Sequence, residues 1–314
     1  MPSSETVKVC LVQHSPVHMN AMESAKKAVR LFDEAAANGA QLVSFGETWL
    51  PGYPAWLDSC PNVSRWDHDP VKKVYARLSK NSVTVPGPEV ALLQESARKH
   101  GIVVLIGVNE RVESGPGNGT LYNSLLIINE KGEIASHHRK LMPTYTERLV
   151  HGIGDGHGLN TVETGIGKVG GLICWEHWMP HTRQSLHLQG EHIHVAMWPT
   201  AHEMHQVASR HYAFEGRCFV LAVGQIMKGS DIPEELEKPQ EAIDDPNGLL
   251  MRGGSSVIGP DGKYIVEPVY DREELIYAEL PMDKILEERM TLDVAGHYNR
   301  NDVFTFSVNR NRHT

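Results

Sequence analysis

A cysteine, two glutamates and a lysine stand at positions in this 314-residue chain where they could do chemistry together. Cys174 lies in Gly170-Gly171-Leu172-Ile173-Cys174-Trp175-Glu176, at the end of an apolar run and just before a polar turn. Pro180 then marks the approach to a helix. A thiol at such a junction projects into a cleft near a helix N-terminus, where its pKa falls and its sulfur can act as a nucleophile. Cysteine is also a common core residue, so position alone leaves both readings open. Glu47, in Ser44-Phe45-Gly46-Glu47-Thr48-Trp49, ends another apolar run, where α/β sheets present their functional side chains. On position alone a solvated loop carboxylate is the commoner outcome. Lys140 follows His137-His138-Arg139 in a basic cluster of the kind that usually marks a wet surface. Glu147 sits in Pro143-Thr144-Tyr145-Thr146-Glu147-Arg148, where an ion pair with Arg148 is the plain alternative.

The elements that must position these groups follow from periodicity. Residues 7–13, 42–45, 102–108, 121–128 and 133–139 read as strands in the first half, with 129–132 as a hairpin turn. Helices are expected at 22–38, where Ala25, Val29, Phe32 and Ala36 share a face, and at 89–99. The second half repeats the theme, with strands at 169–174, 193–198, 219–225, 255–258, 264–266 and 274–280 and helices at 182–189 and 205–217. Gly259-Pro260-Asp261-Gly262 is a strong hairpin signal. Strand and helix alternating at this spacing predict one layered α/β domain. Residues 51–77 are aromatic, proline-rich and too irregular for the sheet, and the acidic, proline-broken 229–248 reads as an exposed loop. After 281 a short helix and an extended HYNRNDVFTFSV tail are expected, the tail docking on a neighbouring subunit.

Composition bounds the partners. About 40% hydrophobic and 22% charged residues suit a globular protein able to bury a sizeable core. A net charge of −9 argues against nucleic acid or an anionic membrane as the main partner. The four cysteines show no CxxC spacing, no stretch reaches membrane-spanning length and no secretory signal is read at the start. Cytoplasmic residence with reduced thiols is the default.

The runs FGETWLPGYP, HRKLMPTYTERLVHGIGDG and GGLICWEHWMP resemble the nitrilase branch of the carbon–nitrogen hydrolase superfamily. GVNER at 107–111, MWP at 197–199 and GHYNRNDVF at 296–304 extend the resemblance over nearly the whole chain. It implies an α-β-β-α four-layer sandwich, a carbon–nitrogen hydrolase domain at 1–280 with a C-terminal extension at 281–314, and a dimer-based homo-oligomer, larger or spiral in some members. It implies Glu47 as general base, Lys140 as stabiliser of the developing anion, Cys174 as nucleophile and Glu147 as an orienting or acidic group. The substrate implied is a small organic nitrile, hydrolysed to acid and ammonia through a thioimidate and a thioester, with no cofactor and no metal. The backbone N–H of Trp175 is a second anion donor in this scheme. Tyr53, Trp56, Tyr145, Trp175, Trp198 and His202 are candidate pocket walls, and His177, where many relatives carry asparagine, either tunes the pocket or packs.

Three rivals use the same residues differently. An amidase or carbamoylase, or a cyanide-processing enzyme, would share the Glu, Lys and Cys set. A zinc hydrolase is suggested by the 18 histidines, His192, His194 and His202-Glu203-Met204-His205 among them. That HExH spacing is one residue short of the HExxH that puts two histidines on one helical face. A non-enzymatic binding protein would have no need of the whole charged set.

Overall fold

The computed structural model describes residues 5–115 and 118–313, so the outermost ends of the expected 1–280 and 281–314 units lie outside the described residues. Thirteen strands are described: β1 (Thr6–Gln13), β2 (Leu42–Ser44), β3 (Val103–Arg111), β4 (Leu121–Ile128), β5 (Ile134–Arg139), β6 (Val162–Thr164), β7 (Gly167–Ile173), β8 (Ile193–Met197), β9 (Phe219–Val223), β10 (Ile226–Lys228), β11 (Leu249–Ile258), β12 (Tyr264–Tyr270) and β13 (Glu274–Pro281). The helices are α1 (Ala21–Ala37), α2 (Trp56–Ser59), α3 (Asp69–Lys80), α4 (Pro88–His100), α5 (Pro180–His187), α6 (Glu203–Gly216), α7 (Gln240–Asp244) and α8 (Lys284–Arg289).

The strands form two sheets, ordered β13-β1-β2-β3-β4-β5 and β10-β11-β9-β8-β7-β6, with β12 pairing β11. Each has a parallel centre, β1-β2-β3 and β7-β8-β9, flanked by antiparallel strands. Strands of such a centre are apolar on both faces because both are covered. In β1, Val7, Val9 and Leu11 pack toward the second sheet with Leu172, Val195 and Leu221. The alternate residues Cys10 and Val12 pack with Ala25, Phe32 and Leu93 of α1 and α4. Tyr212 and Ala213 of α6 cover the far side of the second sheet, completing an α-β-β-α sandwich.

Most expected elements are present within one to three residues at each end. Three segments differ. Residues 51–77 stay out of the sheets, as expected, but hold α2 and the start of α3, which begins with a proline in its first turn. Residues 229–248 are not simply exposed: Ile232, Leu236 and Ala242 are buried with Trp56, Val74 and Leu78 in a satellite core. Sparse apolar residues between prolines gave no periodicity from which to foresee that. Strand β11 starts at Leu249 rather than 255, because Gly253 and Gly254 adopt φ of +80° and +84° and carry the strand through a bulge that sequence reads as a break. The C-terminal tail lies on its own chain near its end, where Arg312 pairs with Asp155, the His313 N–H donates to Asp155 and Arg310 donates to the Leu159 carbonyl.

Candidate functional site

Glu47 follows β2, Lys140 follows β5 and Cys174 follows β7, so the strand ends of both sheets deliver these groups to one place. Lys140 Nζ lies 2.7 Å from Glu47 Oε1 and 2.9 and 2.7 Å from the two oxygens of Glu147, with all three side chains buried. Asn123 of β4 donates to Glu47 Oε1 at 2.6 Å, and the Tyr53 hydroxyl donates to Glu147 Oε1 at 2.9 Å. Gln225 donates to the Glu47 carbonyl at 2.6 Å, tying this loop of the first sheet to the second. Glu47 Oε2 has no hydrogen-bond partner among the described residues, and the Glu47 carboxyl stands beside the Cys174 thiol. Glu147 is paired with Lys140 rather than Arg148, whose Nε donates to the Pro143 carbonyl.

The backbone is locally strained at this site. Thr48, Tyr145 and Cys174 have φ of 46°, 40° and 51°, in the left-handed region that non-glycine residues avoid. The loop carrying Glu47 also crosses β3 closely: a Cβ on Gly107 would sit 2.4 Å from the Gly46 carbonyl oxygen and the Thr48 nitrogen. Only glycine admits that approach.

Electrostatics decide which groups are charged. Burial drives the Glu47 carboxyl up to about 7 against the opposing pull of Lys140, with Glu147 pushing the same way as burial. Burial would strip Lys140 of its proton, but Glu47, Cys174 and Glu147 together hold it above its ordinary value. Burial likewise raises Glu147, yet Lys140 and then His151 keep it ionised below the ordinary carboxylate range. The thiol departs from expectation: burial first, then Glu47, push Cys174 well above an ordinary cysteine. Sequence reasoning had the adjacent turn lowering that pKa. The turn spans only Cys174–Trp178, and desolvation with a carboxylate neighbour outweighs it. The thiol is therefore protonated at rest, and a base able to take its proton stands beside it.

Glu176 fixes the Cys174 turn. Its carboxylate accepts the Ile173 N–H at 2.8 Å, the Leu141 N–H at 2.9 Å and His138 Nε2 at 2.9 and 3.0 Å, joining the cysteine turn to the lysine loop. The Trp175 N–H follows the cysteine in the first turn, where helical N–H groups lack an acceptor within the helix.

A cavity of about 520 Å³ reaches Cys174 and Glu147. Tyr53, Tyr145, Trp175 and His202 line it, with His205, considered above only as a zinc candidate, and Asp58, Thr200 and Met251, which sequence reasoning did not single out. Two expected wall residues, Trp56 and Trp198, lie elsewhere, and His177 takes the packing alternative. Trp56 is buried in the satellite core, Trp198 is buried behind the cavity against His205 and Trp178, and His177 is buried with Nδ1 on the Cys174 carbonyl at 2.7 Å. Aromatic type near a motif does not reveal which face of the chain a side chain takes. Asn123, Gln225 and Glu176 were also missed, since their partners are distant in sequence or backbone. Of the histidines considered for zinc, His205 Nδ1 accepts the His202 N–H, His192 Nδ1 accepts the Lys168 N–H, and both ring nitrogens of His194 are in contact, with Glu191 and with His177.

A carbon–nitrogen hydrolase family model matches residues 8–289. An aliphatic nitrilase of Rhodococcus rhodochrous is 34% identical over 98% of this chain and 80% of its own length. An arylacetonitrilase of Aspergillus niger is 36% identical over 100% and 92% respectively. A bifunctional nitrilase/nitrile hydratase of Lupinus angustifolius is 35% identical over 98% and 87%. Among solved structures, a carbon-nitrogen hydrolase from Helicobacter pylori superposes with a TM-score of 0.69 at 19% identity, covering 95% of this chain and 96% of that one.

Proposed function

The chain belongs to the carbon–nitrogen hydrolase family, and we propose that it is a nitrilase converting a small organic nitrile to its carboxylic acid and ammonia. The observation that carries this reading is the convergence of Cys174, at the cavity, with the Glu47 carboxyl and with the Lys140 Nζ that lies 2.7 Å from that carboxyl. Relatives named as nitrilases over nearly the full length support it.

In this reading Glu47 takes the thiol proton as sulfur attacks the nitrile carbon and passes it to the nitrile nitrogen, which gives a thioimidate and returns Glu47 to its basic form. Lys140 donates toward the nitrogen as negative charge develops there, with the Trp175 N–H as second donor. Lys140 has three N–H groups and faces one oxygen of Glu47 and both of Glu147, so the substrate nitrogen takes its hydrogen bond by sharing or replacing one of the two contacts with Glu147. Glu47 next takes a proton from water, which adds to the thioimidate. Collapse of the tetrahedral intermediate expels ammonia and leaves a thioester. A second water, activated the same way, releases the acid and restores the thiol. Glu147 holds Lys140 and, through Tyr53, the cavity wall. A cavity of about 520 Å³ suits an organic nitrile with a substantial side chain better than hydrogen cyanide.

The test is ammonia release across aliphatic, aromatic, arylacetonitrile, dinitrile, amide and cyanide substrates. Nitriles turned over by the wild type and lost in folded Cys174→Ala are the expected result. Preference for amides would make the protein an amidase, and turnover in Cys174→Ala would remove the mechanism. We also infer a dimer-based homo-oligomer, supported by the exposed Tyr298, Val303 and Phe304 of the tail, and cytoplasmic residence with reduced thiols. Light scattering and cell fractionation test these. No described helix is long and apolar enough to cross a membrane.

A further inference from the structure

Behind the Cys174 turn runs a chain of buried titratable groups that the mechanism above does not use. His177 Nδ1 lies 2.7 Å from the Cys174 carbonyl oxygen, His177 Nε2 lies 2.9 Å from His194 Nε2, and His194 Nδ1 lies 2.9 Å from Glu191 Oε1. The Tyr212 hydroxyl donates to Glu191 Oε2 at 2.7 Å, and its ring stacks on His194 at 3.7 Å between centroids. His177, His194, Glu191 and Tyr212 are all buried. The first glycine of the GGLICWE motif makes room for it: a Cβ on Gly170 would sit 2.1 Å from Glu191 Oε1.

Counting donors fixes the protonation of this chain. A carbonyl oxygen only accepts, so His177 must carry its hydrogen on Nδ1. If His177 and His194 are neutral and Glu191 is ionised, one contact fails. Either two imidazole lone pairs face each other at the 2.9 Å nitrogen pair, or a lone pair of His194 faces a carboxylate oxygen at 2.9 Å. One further proton satisfies every contact. With that proton on Glu191 the whole chain is neutral, the form that burial favours.

We propose that His177, His194 and protonated Glu191 form a positioning chain that holds the carbonyl, and so the left-handed backbone, of Cys174 for attack, and that loss of the Glu191 proton releases it. This rests on the reading of Cys174 as nucleophile. Burial holds Glu191 protonated up to about 8, with Tyr212 and His187 pulling the other way. Burial likewise keeps His177 down at about 3 and His194 well below its ordinary value, so neither imidazole competes for the proton. The groups facing the chain from surrounding elements are His187 of α5, Tyr212 and Glu215 of α6, Cys218 before β9, Glu176 and Arg183 flanking His177, and Arg289 of α8, whose guanidinium donates to the Glu191 carbonyl. Lys140 and the Cys174 thiol are held above their ordinary values, which leaves Glu191 to govern the alkaline side of activity.

Glu191→Gln is the discriminating variant. Its amide donates to His194 and accepts from Tyr212, as protonated glutamate does, but does not titrate. In the wild type, kcat should fall above pH about 8, by about tenfold per pH unit for one proton. Glu191→Gln should keep kcat near neutral pH within about threefold and lose that alkaline limb, while Glu191→Leu, which donates nothing, should lower kcat at every pH by about tenfold or more with little change in KM. An unshifted limb in Glu191→Gln, or a wild type with no limb, overturns the proposal. The infrared spectrum of wild type minus Glu191→Gln at neutral pH gives a readout that needs no turnover: a protonated-carboxyl C=O band is expected, and its absence overturns the proposal. Failure of the nitrilase reading would instead show as a missing nitrile activity with that band still present.

Discussion

Glu176→Gln removes one oxygen from the buried carboxylate that joins the cysteine turn to the lysine loop. One carboxylate oxygen accepts from Leu141 N–H and His138, the other from Ile173 N–H and His138. A glutamine offers one oxygen and one NH₂ group. His138 can adjust, because its Nδ1 has no partner among the described residues and the ring can exchange tautomers. The two backbone N–H groups cannot: one of them must face the new NH₂. An orphaned buried donor costs about 1–3 kcal/mol, and the remaining bonds lose the charge assistance that made them stronger than neutral ones. The sum is about 3 kcal/mol, or, for a chain of 314 residues, an apparent Tm lower by roughly 4 to 5 °C. The freed N–H adjoins either Cys174 or Lys140, so geometry suffers too. A displacement approaching 1 Å at a reacting group costs about 10²-fold, and kcat should fall by about 10- to 100-fold with a smaller change in KM. The sign of the pH dependence follows from His138 and the two backbone N–H groups outweighing burial and holding the Glu176 carboxyl below its usual 4.5. Its ionised form is the stabilising one, so its contribution is present above pH 4.5 and is lost as pH falls toward the lower folded value. Thermal denaturation of both proteins across pH should show a gap at neutral pH that closes in acid. A variant with wild-type Tm and kcat at neutral pH would refute the assignment of Glu176 as the clamp.

Three further outcomes follow from the same geometry. With the Glu47 carboxyl raised to about 7, kcat/KM should fall on the acid side of that value, as protonation removes the base, and a pH–rate profile flat down to pH 5 would contradict its role. Lys140→Met leaves Glu47 and Glu147 as unpaired buried carboxylates; it should abolish turnover and destabilise by about 3–5 kcal/mol, and adding Glu47→Gln should recover part of the stability but none of the activity in thermal melts and ammonia assays. Gly107→Ala drives a methyl to 2.4 Å from the Gly46 oxygen and Thr48 nitrogen, so steady-state kinetics should show kcat down by about tenfold or more through a displaced Glu47, without any change in the cavity wall.

Much of the framework was legible in the chain. Apolar runs closed by polar turns located the strands, because a strand in a parallel centre buries both faces and needs little else to announce it. Glu47, Lys140, Glu147 and Cys174 stand at strand ends or in the loops beyond them, a position that left their roles open, and it was the resemblance of the runs carrying them to nitrilase motifs that singled them out. Residues 229–248 were misread for the opposite reason: a few apolar side chains between prolines acquire meaning only when Trp56 and Val74 are packed against them.

What only the tertiary structure decided is the environment of those side chains. Asn123 meets Glu47 across 76 positions of chain, and His138 meets Glu176 across 38, contacts that depend on sheet register and on how two sheets stack. Trp56, Trp198 and His177 lie near the motifs in sequence, but their rings turn away from the cavity, because rotation about the chain carries no trace in residue type. The protonation of Cys174 reversed its expectation for the same reason: a pKa reports burial and neighbouring charge, and both arise from folding. The sequence determined which groups are present and along which strands they travel; the fold determined that the thiol is protonated, that a raised carboxylate faces it, and that a buried chain of histidines stands behind it.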